Sequence, residues 1–144
     1  MENKKTEVDI ILPNFNSSEY IDATIKSIIK QTFRNWKLII IDDFSNLKTR
    51  EKIKKYEKLN KIKVYWIKKN KGAAYCRNFG ISKSKSKFLA FIDSDDIWEK
   101  NKLKSQINFM IKNKLNFTYT YYNFNFNLIY FLFIKKKKRI REKK

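Results

Sequence analysis

A chain of 144 residues with 42% hydrophobic and 16% aromatic content holds enough apolar material for one buried core, which excludes wholesale disorder. With only Gly72 and Gly80 and no histidine, it has no Walker loop, no Gly-x-Gly-x-x-Gly fingerprint, no Ser-His-Asp or Cys-His catalysis and few routes to zinc. A formal charge of +20, from 34 Lys and Arg against 14 Asp and Glu, attracts nucleic acid, anionic lipid and phosphorylated small molecules alike and chooses none of them.

Val8 to Leu12 is a short, nearly continuous apolar run, the pattern of a strand buried on both faces, and Pro13-Asn14-Phe15-Asn16 breaks it. Ser17 or Ser18 is placed to cap a helix carrying Ile21, Ile25, Ile28 and Ile29 on one face. Leu38 to Ile41 is a second buried strand ending in Asp42-Asp43. A helix with Thr49 near its cap follows, with Ile53, Tyr56 and Leu59 on one side. Ile62 to Ile67 predicts the third strand. Gly72 to Ile81 predicts a helix, and Ser82 to Lys87 returns the chain. Phe88 to Ile92 is the fourth strand and stops at Asp93-Ser94-Asp95-Asp96. Asn101 is placed to cap a helix through Lys112, with Leu103, Ile107, Met110 and Ile111 inward, and Phe117 to Tyr122 predicts a fifth strand.

Strands separated by helices of this length imply right-handed crossovers and a parallel sheet covered by helices. Ligands of such sheets bind outside the carboxyl ends of the strands. The polar clusters Asn14–Asn16, Asp42–Ser45, Lys69–Gly72 and Asp93–Asp96 all follow strand ends, so four separate stretches converge on one edge.

Asp93, Asp95 and Asp96 are the sharpest feature. Residues two apart in an extended segment point the same way, so Asp93 and Asp95 can address one site. Carboxylates without His or Cys suit a hard cation such as Mg²⁺ or Mn²⁺, which can hold a diphosphate; the alternative is a turn that caps the next helix. Asp42 and Asp43 can accept hydrogen bonds from a nucleobase or ribose, or simply build a strand-end turn. Arg77 can fork onto a phosphate or lie solvated on its helix. Ala73, Ala74 and Cys76 let that helix approach the sheet closely, and Cys76 reads as a small core residue rather than a nucleophile.

Five stretches carry a resemblance: Val8–Asn16 (VDIILPNFN), Ser27–Phe33 (SIIKQTF), Leu38–Ser45 (LIIIDDFS), Asn70–Ile81 (NKGAAYCRNFGI) and Phe88–Gln106 (FLAFIDSDDIWEKNKLKSQ). In this order and spacing, over residues 8–122, the chain resembles the family-2 glycosyltransferases of the GT-A fold. The resemblance implies an α/β, Rossmann-like, mostly parallel sheet flanked by helices and lacking the acceptor-binding half. It implies transfer of a sugar from a nucleotide-diphospho-sugar, usually UDP-linked, with Mn²⁺ or Mg²⁺, to a glycan or lipid-linked acceptor. By position, Pro13, Phe15 and Asn16 would line the base pocket, and Asp43, helped by Asp42, would contact uracil or ribose. Asn70 and Arg77 would lie against the nucleotide. Asp93 and Asp95 would be the Asp-x-Asp pair that positions metal and diphosphate, with Asp96 beside them. Trp98, Lys102 and Leu103 match the family's closing segment.

Phe44 stands where the family usually has Gly, and is expected to crowd the turn carrying Asp43 or change its conformation; Lys100 stands where it often has Pro. Inverting transfer needs a base to take the acceptor's proton, and after Asp96 the only acids are Glu99 and Glu142, neither placed for it. Residues 1–122 are therefore read as the donor-binding domain. Residues 123–144 are read as a poorly ordered tail, first aromatic and then polybasic, in the manner of a truncated or out-of-frame ending.

The last ten residues alone carry eight Lys or Arg and one Glu. Much of the remaining charge fits a compositional drift toward Lys, Asn, Ile, Phe and Tyr. Met1 to Asp9 is charged and the apolar run after it ends at Pro13, unlike a secretory signal. With a lone cysteine this predicts a cytoplasmic chain, whose tail could touch an anionic membrane at its cytoplasmic face. No nucleic-acid motif is present and no nucleic acid is expected. A partner module that binds nucleotide without catalysis is the alternative function, and a basic nucleic-acid binder, on charge and aromatics, the weaker one.

Overall fold

β1 (Val8–Asn14) is buried at every position, as expected of a strand in the middle of a sheet with both faces covered. The computed structural model describes residues 7–120 and 131–135. In chain order the other elements are α1 (Ile21–Ile29), β2 (Trp36–Asp42), α2 (Leu47–Lys54), β3 (Ile62–Trp66), α3 (Ala73–Lys83), β4 (Phe88–Phe91), α4 (Lys102–Lys112), β5 (Phe117–Thr120) and β6 (Phe131–Lys135).

The sheet has the order β3-β2-β1-β4-β6-β5. β1 pairs in parallel with β2 and β4, and β2 pairs in parallel with β3. β6 enters antiparallel to both β4 and β5. The mostly parallel α/β sheet is as the alternation predicts; the sixth strand is not. Its first four residues belong to the apolar run Leu128 to Ile134, which has neither period-2 alternation nor a flanking turn to mark it as a strand. The aromatic stretch before it and the basic end after it lie outside the described residues, as does the tail's membrane reading.

Alternation along the strands divides the core. Ile10, Leu12, Leu38 and Ile40 face α1, α2 and α4, where Ile25, Ile28, Ile53, Leu103 and Ile107 meet them. Ile11, Ile39, Ile41 and Leu89 face α3. A Cβ on Gly80 would sit 2.6 Å from Ile11 Cγ2 and 2.9 Å from Ile41 Cδ1, so α3 lies closer to the sheet than any side chain would permit there. The close approach therefore rests on Gly80 and buried Cys76, whereas Ala73 and Ala74 are exposed.

Two expected caps are corrected. α1 begins at Ile21, and no side chain caps it; the Ser17 carbonyl instead accepts from the Tyr20 and Ile21 amides. Asn101 precedes α4, but its side-chain oxygen accepts the Thr32 hydroxyl at 2.8 Å. α2 has a side-chain cap, Asn46 accepting from the Thr49 amide at 2.9 Å.

Candidate functional site

The carboxyl ends of β1, β2 and β4 lie side by side, with Asn14 paired in register with Asp42. The loops that leave them enclose an open cavity of about 280 Å³. Pro13, Phe15, Asp43, Arg77, Asp93 and Asp95 line it, and Asn14, Ala73, Cys76 and Ser94 complete the wall. Three of the four polar clusters thus line one cavity, and the fourth, Lys69–Gly72, adjoins it through hydrogen bonds to Asp43.

Asp43 is nearly buried, and its two carboxylate oxygens accept the amides of Lys71 at 2.8 Å and Gly72 at 2.7 Å. Gly72 has a φ of +86°, a conformation open to glycine at little steric cost, and it delivers the chain into α3. Asp43 thereby fixes where α3 begins and hence where Arg77 stands. The Arg77 guanidinium donates to Asp93 at 2.5 Å, both side chains being part-exposed at the rim.

Four residues grouped with the site from sequence are absent from the cavity wall. Asp42 is fully buried; it accepts from Asn14 Nδ2 at 2.8 Å and the Ser45 amide at 3.1 Å, with Arg50 Nε 3.7 Å away. Burial without a partner would be costly for a carboxylate, so this network accounts for where Asp42 points. Asn16 is exposed, and its side-chain oxygen accepts the Asn46 amide at 2.8 Å. Asn70 donates to the Asp43 carbonyl at 3.3 Å. Asp96 is buried, and burial first, then Asp95 and Asp93, push its carboxyl up to about 6.

Sequence reasoning missed the residues that brace the wall. Asn14 also donates to Ser45 Oγ at 3.1 Å and accepts the Ser17 hydroxyl, lacing the first loop to the second. On α1, Thr24 donates to the Ser94 carbonyl at 2.9 Å and Ser27 accepts the Trp98 amide at 3.1 Å, and just past its end Gln31 donates to the Glu99 carbonyl at 2.7 Å. Thr24 and Ser27 lie three apart on α1 and Gln31 follows just after its last turn, so a legible signal was the run of polar residues near helical spacing among isoleucines. Cys76 touches the cavity with its thiol pushed up to about 12 by burial and by the carboxylates of Asp43 and Asp42, so it stays protonated.

Among the described residues no three His, Cys, Asp or Glu side chains gather as a metal-binding group. Asp93 and Asp95 are two carboxylates on one wall. A magnesium-like cation is usually held by one or two carboxylates plus the substrate's own phosphates, so the pair fits an ion that arrives with a diphosphate better than a resident one.

A family model described as Glycosyl transferase family 2 matches residues 9–141. The chain is 38% identical over 119 residues to the putative teichuronic acid biosynthesis glycosyltransferase TuaG of Bacillus subtilis, covering 82% of this chain and 47% of that protein. It is 43% identical over 110 residues to the Escherichia coli UDP-Glc:alpha-D-GlcNAc-diphosphoundecaprenol beta-1,3-glucosyltransferase WfgD, covering 76% and 43%. The chain therefore spans less than half the length of these relatives. Staphylococcus aureus TarS 1–349 in complex with UDP superposes with a TM-score of 0.72 at 28% identity, over 78% of this chain and 34% of that one. The mannosyltransferase PcManGT of Pyrobaculum calidifontis, solved with GDP-Man and Mn²⁺, gives 0.72 at 14% identity over 80% and 35%, a likeness of fold. The mostly parallel sheet flanked by helices is that of the GT-A fold.

Proposed function

We propose, on the premise that this chain belongs to glycosyl transferase family 2, that its cavity binds the donor of a sugar transfer, a nucleotide-diphospho-sugar and by preference a UDP-sugar. The observation that carries the reading is the convergence of Asp43, Arg77, Asp93 and Asp95 on one wall. Pro13 and Phe15 supply apolar surface for the base, and Asp43, held by two amides, keeps lone pairs to accept from an imide or ribose hydroxyl. Arg77 meets the diphosphate, to which a guanidinium can donate in parallel pairs. Asn16, Asp42, Asn70 and Asp96 act from behind these groups. The UDP complex of the similar TarS supports the choice of base.

Asp93 and Asp95 would hold Mn²⁺ or Mg²⁺, whose chemistry there is to offset charge on the departing diphosphate. Transfer to a hydroxyl of a glycan or lipid-linked acceptor also needs a base, which none of the described lining residues supplies beyond the three donor-site carboxylates. We therefore assign residues 1–122 to donor binding.

Calorimetry with UDP and Mn²⁺ tests this. The wild type should give a metal-dependent heat, and Asp95→Asn should bind at least tenfold more weakly, about 1.4 kcal/mol. Equal affinity in both proteins would remove the metal role. A folded wild type that gives no heat would remove donor binding itself.

A further inference from the structure

We propose that the face formed by α3 and the edge strand β3 docks onto an anionic membrane surface. Between Glu57 and Asp93 the chain contains no acidic residue and ten Lys or Arg. Among the described residues only Arg77 of these ten forms an ion pair. The opposite face of the sheet differs: there Lys52 and Lys55 both reach Asp22, at 3.6 and 3.0 Å, so positive charge is locally offset. The segment that builds β3 and α3 thus carries its positive charge with no acid of its own, whereas α1 and α2 interleave theirs with Asp22 and Glu51.

That flank also carries rings. Ile62 and Val64 of β3 enter the core beneath α1 and α2, so alternation turns Lys63 and Tyr65 toward α3. Tyr65 meets Phe79 edge-on at 5.4 Å, and Tyr75, 42% exposed, stacks on Phe79 at 6.2 Å. Lys83 lies 5.1 Å over Phe79 and 5.9 Å over Tyr65. Cations beside amphipathic rings on a convex helical surface match the boundary between lipid headgroups and acyl chains. A single-stranded nucleic acid would instead need free ring faces for its bases, and here the rings are occupied by one another and by Lys83. α3 contributes Ala73, Cys76 and Arg77 to the cavity, so a bilayer along its outer side lies beside the cavity. The inference rests on charge and rings, not on the donor reading.

Flotation of the full chain with vesicles of phosphatidylglycerol and phosphatidylcholine in equal parts, and of phosphatidylcholine alone, tests it. The protein should float with the first and not the second. Lys63→Glu with Lys83→Glu should lower partitioning at least tenfold, and Tyr75→Ser should lower it by a smaller factor. The double variant should keep the wild type's calorimetric response to UDP, which separates this result from the donor site, and its urea midpoint, which shows an intact fold. Unchanged flotation of the double variant would overturn the proposal. So would loss of flotation on replacing only Lys136, Lys137 and Lys138 by Glu, or release of the protein from vesicles by duplex DNA at equal phosphate concentration.

Discussion

Arg77 and Asp93 meet across the cavity rim, guanidinium nitrogen to carboxylate oxygen at 2.5 Å, from a helix and a strand end sixteen positions apart in sequence. Their side chains are 37% and 45% exposed, and ion pairs this wet contribute about 0–1 kcal/mol to stability. The pair therefore orients charge rather than holding the fold. Arg77→Ala should move the urea midpoint by less than about 1 kcal/mol in stability while weakening UDP about tenfold or more, the worth of a hydrogen bond to a charged group. A large loss of stability with unchanged UDP affinity would reverse that assignment.

Asp42 behaves oppositely. It is fully buried and accepts from Asn14 and the Ser45 amide, so Asp42→Asn must turn an amide NH₂ toward groups that already donate. The expected loss is about 1–3 kcal/mol, read as a lower denaturation midpoint. Asp95→Asn, at an exposed position, should leave the midpoint in place. If the two variants exchanged these phenotypes, the division between bracing and binding carboxylates would be wrong.

That division marks how far the sequence could be read. Continuous apolar runs and helical isoleucines reveal the parallel sheet, and its geometry alone brings Asp43, Arg77, Asp93 and Asp95 to one rim. Which of two adjacent aspartates faces the cavity depends on the register that sets Asn14 beside Asp42, a contact over 28 residues that local pattern does not encode. The same holds for Asp96, which sits one residue beyond the wall and is buried, and for Asn16 and Asn70, whose side chains close neighbouring loops. The place of β6 between β4 and β5 is a matter of strand order, which periodicity does not carry.

Phe44 is expected from sequence to crowd the turn after Asp43 or to reshape it. In the structure it takes a φ of +66°, the left-handed conformation a glycine would adopt, with its ring 54% exposed. A bulky residue there costs roughly 1–2 kcal/mol, part of which glycine returns through the greater freedom of its unfolded chain. Phe44→Gly should therefore stabilise the protein by up to about 1 kcal/mol in thermal or urea unfolding, with UDP affinity unchanged. Destabilisation would mean that the exposed ring makes contacts worth more than the strained backbone.

Lys102 sets a pH dependence with a definite sign. Its ammonium lies 4.2 Å over the Trp98 ring and donates to Gln106 at 2.8 Å, and burial pushes its pKa down from 10.5 to about 7. Between those two values the unfolded chain carries a proton that the folded chain lacks, so stability rises with pH across the window. Below about 7 both states are protonated, and the folded state bears the whole cost of a charge withdrawn from water. Lys102→Met keeps an unbranched apolar stem against Trp98 and removes that cost. Relative to wild type it should be more stable at about pH 6, with the advantage fading as the pH approaches about 10.5. Denaturation midpoints of both proteins across this range decide the matter: a gain that stays constant with pH would show that the variant improves packing and that the ammonium is not disfavoured by burial.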